Sequence, residues 1–460
     1  MTSAEPIFAS DALAGLSGAH WFDYVRHVVP ADQTPWVWIA PDSDDAPAMV
    51  GWGERARFEA SGHASVSTAW QAFQRWAHEH GETGALAFGS FPFAPDHDGF
   101  LVVPQVLILR RHLGDPTWVW GMSASDLARN LVAVDEGAGA AKVSSPSSVT
   151  VSDDVTQDQW RTQVNSTVQA LRAASAATQQ PFSCAIPPHL SPISERAESD
   201  NTSENLDTTL KTSGGVSEIE AGERHIALEK VVLARSVTAS SSQPLSQLDT
   251  AASLVQTFPV CWLYADDGLV GASPELLVDC RDGFFRCRVL AGTRKPAWVH
   301  ELFEDPKERH EHELAVASVM GRLAEAGVMR PTLRGPYLLE LPNVTHLATD
   351  ITALVGQLDA ARIVDAIHPT AAVCGTPREA AFEHLCHTES IDRGRFAGPV
   401  GWMSVNGSGQ WALALRCGQF APDNYSVRVF AGAGIMPGSD PEKEWTETGA
   451  KMEAFLSGLR

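Results

Sequence analysis

Several residues stand in settings where gaining or losing a proton could be put to use. Lys230 lies in Glu229-Lys230-Val231-Val232-Leu233-Ala234-Arg235. On a strand, Val232 and Ala234 share its face, and burial there would lower the amine's pKa and make it a general base near neutral pH. An edge-strand lysine with a covered stem and a hydrated head fits the same residues. Glu275 lies between apolar residues in Gly271-Ala272-Ser273-Pro274-Glu275-Leu276-Leu277. A buried carboxyl there could keep its proton and serve as a general acid, or it could be a surface glutamate at a strand edge. Towards the C-terminus a helix is expected from Pro441 to Leu456. Trp445, Met452, Leu456 and Leu459 form its apolar stripe, and Glu444, Glu447 and Lys451 share another side. Two carboxylates one turn apart can offer hard oxygen ligands to Mg²⁺. A solvated face with an i, i+4 Glu–Lys pair gives the same pattern.

Backbone groups could add anion binding. Phe430-Ala431-Gly432-Ala433-Gly434-Ile435 puts glycines in an apolar strand, where N–H groups can approach a ligand closely. Thr370-Ala371-Ala372-Val373-Cys374-Gly375-Thr376 runs into an expected helix N-terminus. Both also fit simple tight turns. His310-Glu311-His312-Glu313 is not a zinc pair, because positions two apart on a helix point about 200° apart. No phosphate-binding P-loop and no nucleophile elbow occurs.

These residues need elements to hold them. Asp305-Pro306-Lys307-Glu308, Thr376-Pro377-Arg378-Glu379 and Ser439-Asp440-Pro441-Glu442 each join a capping oxygen to a Pro at the first helical position. Three helices are therefore expected to start there. Further helices are expected over Val66 to His80, around the Trp160, Val164, Val168, Leu171 face, and over Leu248 to Thr257. Asp266-Asp267-Gly268 and Asp282-Gly283 signal hairpins. Short apolar runs such as Trp36 to Ile39, Ala85 to Phe91 and Leu101 to Leu109 read as strands, the last interrupted by Pro104-Gln105. The domain plan is a β-rich N-terminal lobe over 1–180, a flexible polar insertion over 185–222 and a catalytic region over 223–460. Residues 135–150 form a linker.

Composition narrows the function. With 34 Lys+Arg against 56 Asp+Glu, the net charge is −22, so nucleic acid and anionic membranes are poor partners. A small anion would need a local positive site or a metal ion. No apolar run reaches the roughly 18 residues of a membrane helix, and the start of the chain does not read as a secretory leader. Seven scattered cysteines without C-x-x-C point to reduced thiols in a cytoplasm. Only Cys280 and Cys287, flanking a turn, invite a disulfide.

Taken together, nine segments resemble the chorismate-utilising enzymes. They are EKVVLAR (229–235), GASPELLV (271–278), LAGTR (290–294), DPKERHEHELAV (305–316), THLATDI (345–351), HPTAAVCGTPREAA (368–381), RGRFAGPVGW (393–402), ALRCGQF (414–420) and AGAGIMPGSDPEKEWTETGAKM (431–452). They occur in the family's order and span roughly 224–458. The resemblance implies a mixed α/β fold, one large two-lobed body with central antiparallel sheets and outer helices. It implies Lys230 as the base that activates water for attack at C2 of chorismate, and Glu275 as the acid that protonates the departing C4 hydroxyl. Glu311 and Glu447 would be Mg²⁺ ligands, with Glu444 behind them. Arg416, Lys451 and the backbone at Gly292, Thr293, Gly432 and Gly434 would hold substrate carboxylates, and His346 and Thr370 would line the pocket.

Within that family, Lys230 suggests water as nucleophile, as in isochorismate synthases. The glutaminase-coupled anthranilate synthases usually lack this lysine, and their N-terminal L-L-E-S run is absent from the first hundred residues. Salicylate synthase, which goes on to eliminate pyruvate, is the alternative. Phe396 replaces a Tyr found in some relatives, and the loop after LAGTR is short. The implied protein is a cytoplasmic, monomeric isomerase without an amidotransferase subunit, serving menaquinone or siderophore synthesis. A chorismate-binding regulator without turnover is the reading from another class, and intact Lys230, Glu275, Glu311 and Glu447 speak against it.

Overall fold

The structure, a computed structural model, describes residues 16–41, 46–122, 149–177, 227–294 and 302–459. The expected insertion over 185–222 and residues 135–148 of the expected linker lie outside these residues. The strands are β1 (Pro35–Ile39), β2 (Ala48–Ala60), β3 (Leu86–Ser90), β4 (Gly99–Arg110), β5 (Trp118–Trp120), β6 (Val149–Asp153), β7 (Lys230–Ser241), β8 (Trp262–Asp266), β9 (Leu269–Ser273), β10 (Leu276–Arg281), β11 (Phe284–Arg294), β12 (Thr332–Glu340), β13 (Thr345–Leu354), β14 (Gly375–Thr376), β15 (Pro399–Ser404), β16 (Gly409–Leu413), β17 (Cys417–Phe420) and β18 (Ser426–Ile435). The helices are α1 (Gly18–Val25), α2 (Ser65–Glu79), α3 (Gln157–Ala177), α4 (Gln247–Thr257), α5 (Pro306–Glu325), α6 (Ala360–Ile367), α7 (Arg378–Thr388) and α8 (Pro441–Leu456).

Every strand pairing among the described residues is antiparallel. They connect in one path, β6–β7–β18–β17–β9–β8–β1–β2–β4–β3–β15–β16–β10–β11–β13–β12. β14 shares the outer edge of β7 with β6, and β5 shares an edge of β4 with β3. Strands from residues 1–180 and from the C-terminal half therefore hydrogen-bond within one curled sheet. The expected mixed α/β architecture, antiparallel at its centre with helices outside, is what the chain forms.

The sheet is covered on both faces, which explains its near-continuous apolar runs. In β1, Trp36 and Trp38 enter one core with Phe73, Trp160 and Trp411, while Val37 and Ile39 enter a second with Trp21, Leu263 and Phe455. Alternate side chains point to opposite faces, so a strand covered on both sides reads WVWI instead of alternating with polar residues. Trp38 Nε1 donates to Gln410 Oε1 at 3.0 Å, and Gln410 Nε2 donates to Asp279 Oδ2 at 2.9 Å. This buried polar chain ties β1 to β16 and β10.

Local chemistry accounts for most boundaries. Asp267 and Gly268 have φ of 46° and 79°, and Asp282 and Gly283 have 52° and 75°. Two successive positive φ angles are what a type I′ hairpin turn needs. Two expectations need correction, those for Pro104 and Thr376. Pro104 does not break its run, because β2 shifts register between Glu54 and Ala56 opposite it and a bulge tolerates a residue without an N–H. Thr376 does not cap a helix: α7 starts at Arg378 after Pro377, with no side-chain cap. Cys280 and Cys287 are unbridged, like the other described cysteines.

Arg235 joins β7 to α8. Its Nε donates to Thr448 Oγ1 at 2.8 Å and its Nη2 to the Trp445 carbonyl at 3.2 Å. The guanidinium carbon lies 3.5 Å from the Trp445 ring centroid. Nη1 reaches Asp153 Oδ1 of β6 at 3.3 Å. Burial pulls its pKa down to about 10, against the pull of Asp153, so it stays charged at neutral pH. A lysine has neither the planar fork nor the stacking face. Arg235→Lys is therefore expected to cost about 2 kcal/mol of stability. A denaturant melt superimposable on that of the unaltered chain would contradict the account.

Candidate active site

The two helices that carry the acidic residues begin alike. Asp305 accepts from the N–H groups of Lys307 and Glu308 at the start of α5, and Asp440 from those of Glu442 and Lys443 at the start of α8. A Pro follows each cap, where its missing N–H costs nothing. Carboxylates in these early turns are also favoured by the helix dipole.

Lys230, at the start of β7, is fully buried. Its Nζ lies 3.0 Å from Glu311 Oε1 of α5 but outside hydrogen-bond alignment, so this is a contact between charges. Two similar pairs lie alongside. Lys307 Nζ is 3.0 Å from Glu444 Oε1, linking α5 to α8. Lys451 Nζ is 2.6 Å from Glu447 Oε1 and donates to the Gly432 carbonyl at 2.9 Å. Glu308, one turn before Glu311, accepts from Thr293 N at 2.8 Å.

The four carboxylates feel one another. Burial, and next the charge of Glu311, push Glu308 up to about 7. Burial also acts on Glu311, but the ammonium groups of Lys230 and Lys307 outweigh it and hold that carboxyl below its ordinary value. Glu444 is raised by burial and then by Glu447, with Lys307 opposing. Among the described residues no three acidic, His or Cys side chains are already drawn into a coordination shell. The donor chemistry nevertheless suits a hard divalent cation: four carboxylates face three ammonium groups, and all eight oxygens are of the type Mg²⁺ prefers.

Glu275 sits between β9 and β10 and is 4% exposed. Burial raises its pKa to about 8, while the Leu290 N–H and the charges of Lys230, Arg416 and Lys451 pull it down. Its carboxyl therefore holds a proton at neutral pH. Across the cavity, Arg416 Nη2 donates to His346 Nε2 at 2.8 Å, and His346 Nδ1 lies 3.1 Å from Thr293 Oγ1. Arg416 can only donate, so Nε2 accepts and the imidazole proton sits on Nδ1. Burial, and then Arg416, hold the His346 pKa well below its ordinary value, which keeps the ring neutral.

Glu275, Gly292, Thr293, Glu311, His346, Arg416, Gly432, Gly434 and Lys451 line one cavity. Lys230 lies just behind this wall: a Cβ built on Gly434 would be 3.1 Å from its Cε and would overlap the Glu311 carboxylate. Glu447 and Thr370 are also set back, Glu447 through its pair with Lys451. The cavity's open volume is about 70 Å³. Lys230 Nζ, Arg416 Nε and Thr370 Oγ1 are buried without a hydrogen-bond partner. β17 and β18 pair only through Val427 to Val429. Beyond that point the pairing alternation turns the Gly432 and Gly434 N–H groups away from β7, because Val232 N and Ala234 N point to its other edge. A larger hollow of about 1460 Å³ opens around Arg26, Asp267, Arg395 and Arg428. Those arginines are bonded to Asp249, Asp266 and Asp154 among others, and none of the site residues expected from the sequence lines this hollow, so volume does not locate them.

Sequence reasoning overlooked Glu308 and Lys307. Glu308 stood only as a capping residue, yet its spacing to Glu311 repeats that of Glu444 to Glu447, and this repetition was available to find it. Arg393, which also lines the cavity, opens the RGRFAGPVGW segment but was given no role.

Residues 188–460 match the family described as chorismate binding enzyme. The chain is 33% identical to the vibriobactin-specific isochorismate synthase of Vibrio cholerae over 53% of its own length and 65% of that protein. It is 34% identical to the isochorismate synthase EntC of Escherichia coli over 50% of its length and 62% of that protein. These matches thus span just under two thirds of each relative. The crystal structure of a putative 2,3-dihydroxybenzoate-specific isochorismate synthase, DhbC, from Bacillus anthracis superposes with a TM-score of 0.71 at 21% identity, covering 95% of this chain and 99% of that one. That likeness establishes the fold.

The raised pKa of Glu275 has a consequence for stability. Between the unfolded value near 4.5 and the folded value of about 8, the native state binds the extra proton, so stability falls as pH rises through this window. Glu275→Gln mimics the neutral acid and removes that slope. The variant should gain on the unaltered chain by a few kcal/mol, order of magnitude, between pH 4.5 and 8, read by urea unfolding. A difference independent of pH would mean that Glu275 is ionised in the fold.

Proposed function

Because this chain belongs to the chorismate binding enzymes, we propose that it is an isochorismate synthase, moving the hydroxyl of chorismate from C4 to C2. The observation that carries the reading is the pairing of a proton-holding carboxyl, Glu275, with a buried amine, Lys230, around one cavity. Lys230 must first release the proton that pairs it with Glu311, and as the free amine it then takes a proton from water as that water adds at C2. The ring double bonds shift, and the C4–O bond breaks as Glu275 donates its proton, so the C4 hydroxyl leaves as water. One group must accept and one must donate, and an amine and a neutral carboxylic acid meet both needs.

The substrate carries two carboxylates into a protein of net charge −22. Arg416, Lys451 and the Gly432 and Gly434 N–H groups would receive them, with Gly292, Thr293, His346 and Thr370 completing the wall. His346 acts here as a neutral acceptor that aims Arg416. Glu311 and Glu447 would hold Mg²⁺, with Glu308 and Glu444 beside them. Bound there, the ion supplies positive charge for a substrate carboxylate. Water as nucleophile needs no ammonia, so the proposed enzyme needs no glutaminase subunit, and it is proposed to be a monomer. No helix among the described residues is long and apolar enough to cross a membrane. Production of isochorismate for menaquinone or a catechol siderophore fits this chemistry.

Purified protein incubated with chorismate and Mg²⁺ should form isochorismate without pyruvate. Salicylate plus pyruvate would identify a salicylate synthase instead, and binding without turnover a regulator. Lys230→Ala should abolish turnover while the fold persists. Glu447→Ala, or chelation of the metal, should remove activity, and added Mg²⁺ should restore only the chelated sample. Turnover should decline as pH rises through about 8, where Glu275 loses its proton. Gly434→Ala, whose Cβ would displace the Glu311 carboxylate and crowd Lys230, should lower kcat on the order of a hundredfold. Unchanged rates in Lys230→Ala would remove the assigned base.

A further inference from the structure

β7 has a gap in its outer edge. β14 pairs with Lys230 and Val231, and β6 pairs with Val237 to Ser241. Between them no strand of the described residues lies alongside, although the interior there is dry. Val232 N donates to the Cys374 carbonyl at 2.8 Å. The Ser236 carbonyl accepts from Asp154 N at 3.2 Å, and two side chains meet two further groups. Arg393 Nη2 donates to the Val232 carbonyl at 2.6 Å, and Glu389 Oε1 accepts from Ala234 N at 3.0 Å. Arg393 Nη1 meanwhile donates to the Val373 carbonyl at 2.8 Å.

The two side chains also bind each other. Arg393 Nη2 lies 2.8 Å from Glu389 Oε2, and Arg393 Nε donates to both carboxylate oxygens at 3.1 and 3.0 Å. Their side chains are 4% and 6% exposed. The guanidinium carbon stands 4.1 Å from the centre of the Phe93 ring. Arg393 lines the cavity, yet each of its nitrogens is already engaged, so it is poorly placed to receive a substrate anion.

We infer that Glu389 and Arg393 are positioning residues: a buried ion pair that stands in for a missing strand and sets the chain segments carrying Lys230 and Thr370. Val232 is two residues from Lys230, and Val373 is three from Thr370. One guanidinium therefore fixes the spacing between the strand of the base and the loop of a wall residue. The same edge contacts leave the Gly432 and Gly434 N–H groups turned towards the cavity. Were the pair lost, two carbonyls and an N–H would be stranded without partners, and the backbone would shift or admit water to satisfy them. The assignment rests on the proposed isochorismate synthase reading.

The test uses the full chain. Arg393→Lys keeps the charge but cannot bridge both carbonyls. Its kcat with chorismate should fall about tenfold or more while KM stays within about threefold. The double variant Glu389→Leu/Arg393→Met leaves no unpaired buried charge but still strands those three backbone groups, so its melting temperature should fall by several degrees while the fold persists, and kcat should remain low. Amide hydrogen exchange reads the same contact without turnover: Val232 to Ser236 should exchange faster in the double variant, and the β7 residues paired with β6 should not. Unaltered kcat and exchange in the double variant would overturn the inference, as would a kcat loss that only follows loss of fold. If the unaltered chain makes no isochorismate but exchange responds as described, the functional reading falls and the positioning role of the pair stands.

Discussion

A charge taken out of water must be met by an opposite charge, and the centre of this molecule is arranged around that requirement. Lys230, Lys307 and Lys451 stand against Glu311, Glu444 and Glu447 at ion-pair distance, with Glu308 close enough to be pushed towards its neutral form. Removing one partner of such a set leaves a buried charge uncompensated, which costs several kcal/mol. The set is therefore held together by its own electrostatics. It also leaves an excess of one carboxylate, so a cation is welcome there and an anion needs that cation or the separate positive groups at Arg416.

The sheet exists to bring these charges together from distant parts of the chain. Lys230 comes from β7, the acids from the first two turns of α5 and α8, Glu275 from the β9–β10 turn, and His346 and Arg416 from β13 and the lead-in to β17. Curling one antiparallel sheet between two apolar layers places all of them around one cavity. The same dryness gives opposite protonation to two groups: it keeps the proton on Glu275 and keeps it off His346. Burial disfavours the charged form of either, so one environment yields a donor and a neutral acceptor.

Much of this was legible from residue order. Capping chemistry gave α5 and α8 their first residues, because a cap and a Pro act locally. The turns at Asp267-Gly268 and Asp282-Gly283 were equally local. The α7 start was misread at Thr376 because a capping residue and Pro are needed but not sufficient; the same threonine lies in β14, paired with Lys230. Pro104 was misread for a related reason, since the bulge that accommodates it belongs to the partner strand.

The order of amino acids by itself determined which groups could carry protons and metal, where the acidic helices begin, and the family's motif sequence. Those depend on side-chain type and on neighbours a few positions away. Only the tertiary structure decided the partnerships: Lys230 with Glu311, Lys307 with Glu444, Arg416 with His346, and Arg393 with the carbonyls of two separate segments. It also decided that Glu275 is dry enough to stay protonated. Burial and long-range pairing are properties of the packed sheet, and no stretch of chain contains them before residues hundreds of positions apart have met.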